Sequence, residues 1–137
     1  MDKDSADAGP ASGERPPPRM LLVEDDAPSA TRLSQLLSED GFFIEWIADA
    51  LLAVERLDAG PRPDVLVLDY RLPRGDGLLV ARKARARWAD IPVIFVTSYP
   101  EIVQREPPFD PPALILSKPV AYNELVVALH RALASHP

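Results

Sequence analysis

Four short and almost unbroken apolar runs constrain the fold of this chain more than any other feature. They are RMLLV (19–23), DVLVL (64–68), IPVIFV (91–96) and ALILS (113–117). Each run is as long as one strand, and near-continuous apolarity is typical of strands buried on both faces of a parallel sheet. A fifth run, FFIEWI (42–47), is interrupted by a charged residue, which favours an edge position.

Segments with helical periodicity alternate with these runs. Apolar side chains recur three or four residues apart within 30–37, 51–57, 80–88 and 122–133. Pro28 suits the first turn of the first helix, and Gly41 can end that helix in the left-handed conformation. Because strands and helices alternate, we expect a three-layer, doubly wound α/β domain around a five-stranded parallel sheet.

Composition and charge narrow the range of functions. The chain has 137 residues, a net charge of −6 and no cysteine. One domain is therefore expected, disulfides and thiolate metal sites are excluded, and nucleic-acid binding is disfavoured. No apolar run approaches the roughly 20 residues of a membrane-spanning helix, so no membrane partner is expected. The polar, proline-rich start lacks the features of a secretion signal, which predicts a flexible tail at 1–18 and a cytoplasmic domain at 19–135.

One basic cluster interrupts this acidic chain. Arg82, Lys83, Arg85 and Arg87 alternate with small and apolar residues at helical spacing. We interpret the cluster as the solvated face of an amphipathic helix.

Polar residues follow four of the five apolar runs. They are Glu24, Asp25 and Asp26 after RMLLV, Asp69 after DVLVL, Thr97 and Ser98 after IPVIFV, and Lys118 after ALILS. Singly, each has an ordinary structural role; Asp26, for example, suits a helix N-cap. The carboxyl ends of parallel strands meet at one edge, however, and ligands bind at that edge in open α/β sheets.

Clustered carboxylates repel one another unless a cation or a basic group neutralises them. Mg²⁺ suits such a cluster, because it takes one or two carboxylates, keeps several waters and leaves room for phosphate oxygens. A lysine and a hydroxyl nearby would complete a phosphoryl pocket. The chain has no GxxxxGK[ST] nucleotide loop, so the phosphoryl group must come from another molecule.

Four motifs together resemble the receiver domain of two-component response regulators. They are LLVEDD (21–26), VLVLDYRLPRGDG (65–77), VIFVTS (93–98) and LSKP (116–119), and the resemblance covers about residues 19–134. It implies a flavodoxin-like fold with strand order 2-1-3-4-5. It also implies that Asp69 is the phosphoacceptor and shares Mg²⁺ with Asp25, Glu24 and the backbone carbonyl of Arg71, with Glu24 acting through water or by shaping the site.

The resemblance assigns the remaining strand-end residues to the transferred group. Thr97 would donate its hydroxyl to the phosphoryl group, and Lys118 would pair with a phosphoryl oxygen. Ser98, being small, would leave the approach open, and Pro119 would follow a cis peptide bond, which is tolerable only before proline.

A phosphohistidine on a sensor histidine kinase or a histidine phosphotransfer protein would be the donor. Asp69 would attack its phosphorus in line, and the resulting acyl phosphate is labile enough for a switch. The chain would therefore catalyse only its own phosphorylation and dephosphorylation. Because it ends just after the last predicted helix, a stand-alone response regulator without an attached output domain is expected.

Two features depart from the family pattern. Ile115 stands where relatives usually carry the aromatic ring that couples to the threonine. The segment REPPFDPP (Arg105–Pro112), called the proline segment below, lies where a complete fourth helix is usual. Because each interior proline costs a helix about 3 kcal/mol, at most one turn near Glu101–Arg105 is expected, with Pro100 at its first position.

The proline segment has two interpretations. It is either a tolerated surface loop or a remodelled output face that contacts a downstream protein, since extended proline segments lose little entropy on binding. Phe109, flanked by prolines, would either tuck over the core or project as an anchor.

Three function classes follow. The first is the phosphoacceptor, the second a receiver-like scaffold that binds partners without phosphorylation, and the third a small phosphatase of related topology. Intact Glu24, Asp25, Asp69, Thr97 and Lys118 weigh against the scaffold. Arg71 weighs against the phosphatase, which needs a second acid at that position. The first and last helices would also permit a homodimer.

Overall fold

The computed structural model describes residues 16–134, so most of the tail predicted at 1–18 lies outside the described residues and the predicted domain limits stay a prediction. The secondary structure elements, in chain order, are β1 (Arg19–Val23), α1 (Ala27–Glu39), β2 (Phe43–Ile47), α2 (Ala50–Ala59), β3 (Val65–Leu68), β4 (Arg71–Leu72), β5 (Gly75–Asp76), α3 (Gly77–Arg87), β6 (Val93–Thr97), α4 (Pro100–Arg105), β7 (Leu114–Ser117) and α5 (Tyr122–Ala134). Among the helices of residues 16–134, none is long and apolar enough to cross a membrane.

The five longer strands form one parallel sheet in the order β2-β1-β3-β6-β7. Strands β4 and β5 form a separate antiparallel hairpin, which the sequence did not predict. When only the five strands of the parallel sheet are numbered along the chain, their order in the sheet is 2-1-3-4-5, as predicted. The predicted fold class and the edge position of FFIEWI are thereby confirmed.

Side-chain alternation along the central strands builds two cores, one on each face of the sheet. In β1, Leu21 and Val23 join the core formed with α2 and α3, whereas Met20 and Leu22 join the core formed with α1 and α5. Successive residues of a strand point to opposite faces, so an unbroken apolar run is required where both faces are covered. The predicted three layers are confirmed.

Aspartates begin three of the helices. Asp26, Asp49 and Asp76 cap α1, α2 and α3, and each carboxylate accepts a hydrogen bond from the backbone N–H three residues later, at 3.0, 2.9 and 2.8 Å respectively. These bonds satisfy N–H groups that the helix itself leaves unpaired. Gly41, just after α1, has a φ of 95°, in agreement with the predicted left-handed helix end.

The fourth helix is short, as the prolines predict. Helix α4 has six residues with Pro100 at its first position, slightly more than the single turn expected. Residues 106–113, all of them described, form neither helix nor strand. Beyond Arg105, the proline segment therefore links α4 to β7 as irregular chain, with bends at Glu106, Asp110 and Pro111.

The basic cluster lies on the solvated face of α3, as predicted: Arg82, Lys83 and Arg87 are exposed and Arg85 is half-buried. Its three arginines also bind backbone carbonyl groups, a role that the sequence did not indicate. Arg85 donates to the carbonyl oxygens of Ile91 and Pro111, both at 2.7 Å, and Arg82 donates to that of Pro107 at 3.3 Å. A segment without helix or strand leaves its carbonyl groups without regular backbone donors, and guanidinium groups supply donors instead. Helix α3 thus holds the proline segment through Arg82 and Arg85 as well as facing solvent.

Arg87, at the end of α3, also binds backbone. Its guanidinium donates to the carbonyl oxygens of Leu57 and Gly60, at the end of α2. Lys83 is exposed, as are Arg82 and Arg87, so the predicted solvated position holds for these three residues.

Candidate functional site

Backbone hydrogen bonds between neighbouring strands continue for one residue beyond the ends of β3 and β7. The N–H of Asp69 donates to the carbonyl of Val23 at 3.0 Å, and that of Lys118 donates to the carbonyl of Thr97 at 2.9 Å. Residues that follow β1, β3, β6 and β7 are therefore fixed side by side at one edge of the sheet. Glu24, directly after β1, lies at the same edge.

Lys118 lies between two carboxylates of this edge. Its Nζ is 2.8 Å from Asp69 Oδ2 and 2.7 Å from Glu24 Oε1. The side chains of Glu24 and Asp69 are only 5% and 12% exposed, so solvent screens these contacts weakly. Burial lowers the pKa of Lys118, but the hydrogen bonds to Asp69 and Glu24 outweigh it and hold the pKa above its ordinary value.

Three carboxylates converge beside this ammonium. Glu24, Asp25 and Asp69 each offer one oxygen, and these atoms lie within 4.8 Å of one another. With Lys118 as the one cation among them, the cluster keeps two formal negative charges, which a divalent cation would neutralise. Hard oxygen donors in this number fit Mg²⁺, and the exposed Asp25 leaves room for its waters. Arg71 lies two residues after Asp69. That its backbone carbonyl binds the metal stays a prediction.

Thr97 is fully buried at the end of β6. Its Oγ1 accepts a hydrogen bond from the backbone N–H of Tyr99 at 3.0 Å. That bond uses a lone pair, so the hydroxyl hydrogen stays available for donation. The next residue, Ser98, is exposed and lines a cleft together with Asp69 and Lys118.

This cleft has a volume of about 400 Å³ and opens beside the carboxylates. Its lining includes Arg32 and Leu33 of helix α1, Val120 of the loop before α5, and Tyr122, the first residue of α5. The phenol of Tyr122 donates to Asp40 Oδ2 at 2.6 Å and so ties α5 to the end of α1. A group that approaches Asp69 along this cleft would contact both helices.

Two backbone features around Asp69 were missed in the sequence analysis. The N–H of Tyr70 donates to Asp69 Oδ1 at 2.6 Å, so both carboxylate oxygens are engaged. Gly77 passes so close that a Cβ on it would lie 2.1 Å from the carbonyl oxygen of Asp69. The Asp-Gly pair that ends the motif at 65–77 was the available signal, and its meaning is that only glycine fits there.

Glu24 is held from two further directions. Its Oε2 accepts from the N–H of Asp26 at 3.1 Å, and its backbone carbonyl accepts from the indole Nε1 of Trp46 at 2.7 Å. A buried carboxylate is tolerated when its oxygens are paired in this way. The indole contact spans 22 residues and had no sequence signal.

The guanidinium of Arg71 lies over the ring of Tyr99, 4.3 Å from its centroid. Arg71 follows Asp69 by two residues and Tyr99 follows Thr97 by two residues. The pair therefore bridges the two segments that carry the predicted phosphoacceptor and the predicted hydroxyl donor. Cation–π contacts of this kind contribute about 0.5–1 kcal/mol at exposed positions.

The residues predicted for the output face lie farther from the carboxylates. Ile115 is half-buried in β7 and pairs in register with Phe95. Of the two placements open to Phe109, the structure has it tucked over the core, with its ring centroid 6.0 Å from that of Phe95. The peptide bond before Pro119 is cis, as the resemblance implies.

Comparisons of the sequence with known proteins point to one protein family. The response regulator receiver domain matches residues 20–130 of this chain. Response regulator MprA from Mycobacterium ulcerans is 36% identical over 116 residues, which is 84% of this chain and 50% of that protein. The chain thus spans about half the length of the curated relatives it matches.

Solved structures of a receiver protein and of a sensor protein have a similar fold. A response regulator receiver protein from Sinorhizobium medicae matches with a TM-score of 0.78 and 26% identity, covering 88% of this chain and 97% of that one. A sensor protein from Polaromonas matches with a TM-score of 0.76 and 31% identity, covering 88% and 98%. Both likenesses extend over nearly the whole of the described fold.

Proposed function

This chain belongs to the response regulator receiver domain family, and from that premise we propose that it accepts a phosphoryl group on Asp69 and signals through protein–protein contacts. The observation that carries the proposal is the position of Asp69, whose carboxylate lies within hydrogen-bonding distance of Lys118 and within 4.8 Å of two further acids. The donor is a phosphohistidine on a sensor histidine kinase or a histidine phosphotransfer protein, which places the chain in the cytoplasm.

In the proposed transfer, an oxygen of Asp69 forms a bond to phosphorus while the bond between phosphorus and the histidine nitrogen breaks. The product is an acyl phosphate on Asp69, and the electron pair of the broken bond stays on the imidazole. Lys118 neutralises charge on the transferred oxygens, because it is already 2.8 Å from the acceptor carboxylate and stays protonated. Thr97 supplies its free hydroxyl hydrogen to one of those oxygens.

Glu24, Asp25 and Asp69 would hold Mg²⁺, with the carbonyl of Arg71 as a further ligand. When bound, the ion would supply positive charge next to the oxygens of the phosphoryl group. Glu24 is kept rigid by Lys118 and by the N–H of Asp26, so it shapes the acidic pocket from its buried side. The exposed Ser98 leaves the approach to Asp69 open.

The test is phosphorylation by a small phosphodonor with Mg²⁺, followed as a band shift on a phosphate-binding gel. The wild type should shift, and Asp69→Asn should not. Asp58→Asn, an exposed acid on α2, is the matched control and should shift like the wild type. An unshifted wild type, or an Asp69→Asn variant that still shifts, would overturn the proposal and leave the phosphorylation-independent scaffold.

We also propose that the output surface comprises α4, the proline segment and β7, including Ile115. Support comes from a cavity of about 300 Å³ between Val103, Phe109 and Ile115, which leaves room for these elements to repack. Beryllofluoride with Mg²⁺, a stable phosphoryl mimic, should shift the amide NMR signals of residues 105–117 in addition to those around Asp69. Shifts confined to the surroundings of Asp69 would rule out this output surface.

A further inference from the structure

The loop that follows Asp69 contains a strained residue. Between β4 and β5 the chain turns at Arg74, whose φ of 58° makes it the one non-glycine residue with a positive φ among those described. A residue with a side chain avoids this conformation unless its surroundings impose it. Contacts of Arg74 with the rest of the fold should therefore explain why the turn persists.

Arg74 and its two chain neighbours all contact the start of α2. Arg74 Nε donates to Asp49 Oδ2 at 2.5 Å, and the N–H of Ala50 donates to the carbonyl of Pro73 at 2.9 Å. Gly75 packs so closely that a Cβ on it would lie 2.8 Å from the Cβ of Ala50. The tip of the hairpin is thus attached to α2 through three successive residues.

Asp49 serves two elements at once. Its Oδ1 accepts from the N–H of Leu52 and caps α2, while its Oδ2 accepts from Arg74. The hydrogen bond from Arg74 lowers the pKa of Asp49, and the cap bond acts in the same direction, so this carboxylate stays ionised. The cap of α2 uses only Oδ1 of Asp49. The second hydrogen bond, from Arg74 to Oδ2, therefore serves the hairpin.

The base of the same loop is attached at the site itself. The N–H of Gly77 donates to the carbonyl of Tyr70 at 2.7 Å, and Gly77 lies against the backbone of Asp69. Arg71 lies between this closed base and the tip held by Asp49. The direction of the Arg71 carbonyl therefore depends on both attachments.

We infer that Asp49 and Arg74 are positioning residues for Mg²⁺, because their ion pair fixes the hairpin that presents the backbone carbonyl of Arg71. The inference rests on the proposed function, since the ion belongs to the phosphoacceptor site. Neither side chain would touch the ion. Their effect is on the orientation of a backbone ligand, in the way that outer partners of metal ligands set metal affinity.

The test is the Mg²⁺ dissociation constant, measured by the amide NMR shifts of Glu24 and Asp69 during a titration with the metal alone. Arg74→Ala should weaken binding by about 10-fold, the lower end of what loss of an outer partner costs. Asp49→Asn, which still caps α2, should weaken binding to a similar extent. Arg74→Lys should recover part of the affinity, because an ammonium can reach the same carboxylate.

The control is Arg62→Ala, which removes a comparable exposed ion pair with Asp90, 3.1 Å apart, and should leave the dissociation constant unchanged. If Arg74→Ala fails to fold, Arg74→Gly removes the guanidinium while relieving the strain at φ 58° and tests the same point. If Arg74→Ala and Asp49→Asn bind Mg²⁺ as tightly as the wild type, this inference is wrong while the proposed function stands. A wild type that binds no Mg²⁺ would overturn the proposed function as well.

Discussion

The ammonium of Lys118 lies 2.8 Å from the carboxylate of Asp69, although 49 residues separate them in the sequence. Strand β7 places Lys118 and strand β3 places Asp69, so the contact exists only when β6 lies between them in the sheet. Because Glu24 shares the same ammonium, one cation serves two largely buried acids.

Lys118→Met should lower the rate of phosphorylation by a small phosphodonor about 100-fold, since loss of one preorganised charge donor costs this much in comparable sites. It should also lower the free energy of unfolding at pH 7 by about 1–2 kcal/mol, because two acids lose a charged hydrogen-bond partner. Urea unfolding of both proteins measures the second effect.

The difference in stability between wild type and Lys118→Met should depend on pH in a defined direction. The pKa of Lys118 is raised in the folded state, so its contribution is complete below the unfolded value near 10.5 and disappears as the pH rises through the folded-state pKa. Tyr122, whose pKa burial and a hydrogen bond to Asp40 raise to about 12, is present in both proteins and cancels. A difference that vanishes already at pH 8 would contradict this.

Gly77→Ala should destabilise the protein by about 2–3 kcal/mol, because the added methyl group would meet the Asp69 backbone at 2.1 Å and the strand end would have to move. Phosphorylation should slow at the same time, since the displaced backbone carries the phosphoacceptor. Gly41→Ala is the matched control, because its φ of 95° is unfavourable but no atom lies within 4 Å of the new Cβ. It should cost about 1 kcal/mol and leave phosphorylation unchanged.

Arg71→Ala and Tyr99→Ala should each shorten the lifetime of the acyl phosphate by a few-fold. The guanidinium over the ring bridges the segments that follow Asp69 and Thr97, and opening that bridge lets water approach the phosphoryl group. The double variant should be no faster than either single variant, because each one already breaks the same contact. Decay of phosphorylated protein after removal of the donor gives the lifetimes, and strictly additive effects would exclude a shared contact.

The sheet and the acidic site could be predicted from the sequence because both depend on local patterns. Strand β3 is buried at all four positions, which forces an unbroken apolar run, and each site residue directly follows such a run. Once the runs were ordered as parallel strands, Asp69 and Lys118 had to meet at one edge. The short α4 followed from the same local reasoning, because proline is tolerated in the first turn of a helix but not in its interior.

Contacts between side chains and distant backbone could not be predicted in this way. Arg85 binds the carbonyl of Pro111 across 26 residues, and Arg74 binds Asp49 across 25. An arginine that binds a carbonyl and an arginine in solvent occupy the same exposed positions of a helical pattern. Periodicity therefore placed the basic cluster correctly on the exposed face of α3, but it could not show that the arginines bind backbone carbonyl groups.

Phe109→Ala should act on stability first, because the ring is packed between Phe95 and the guanidinium of Arg82, whose carbon lies 4.8 Å from its centroid. We expect a loss of about 2–4 kcal/mol in the free energy of unfolding, in the range of large-to-small core substitutions. Phosphorylation should persist, since Phe109 lies outside the acidic cluster.

Arg85→Met should release the proline segment without removing the ring. It breaks the bonds to Ile91 and Pro111, at a cost of about 1–3 kcal/mol for two carbonyls that lose a charged donor. Amide hydrogen exchange should then accelerate at Glu106, Phe109, Asp110 and Ala113, the residues of 106–113 that carry an amide hydrogen, while the sheet stays protected. Lys83→Met, at an exposed position of the same helix, is the matched control and should leave exchange unchanged. If Arg85→Met leaves exchange in 106–113 as slow as in the wild type, Arg85 does not hold the proline segment, and Arg82 and Phe109 must fix its position on the core.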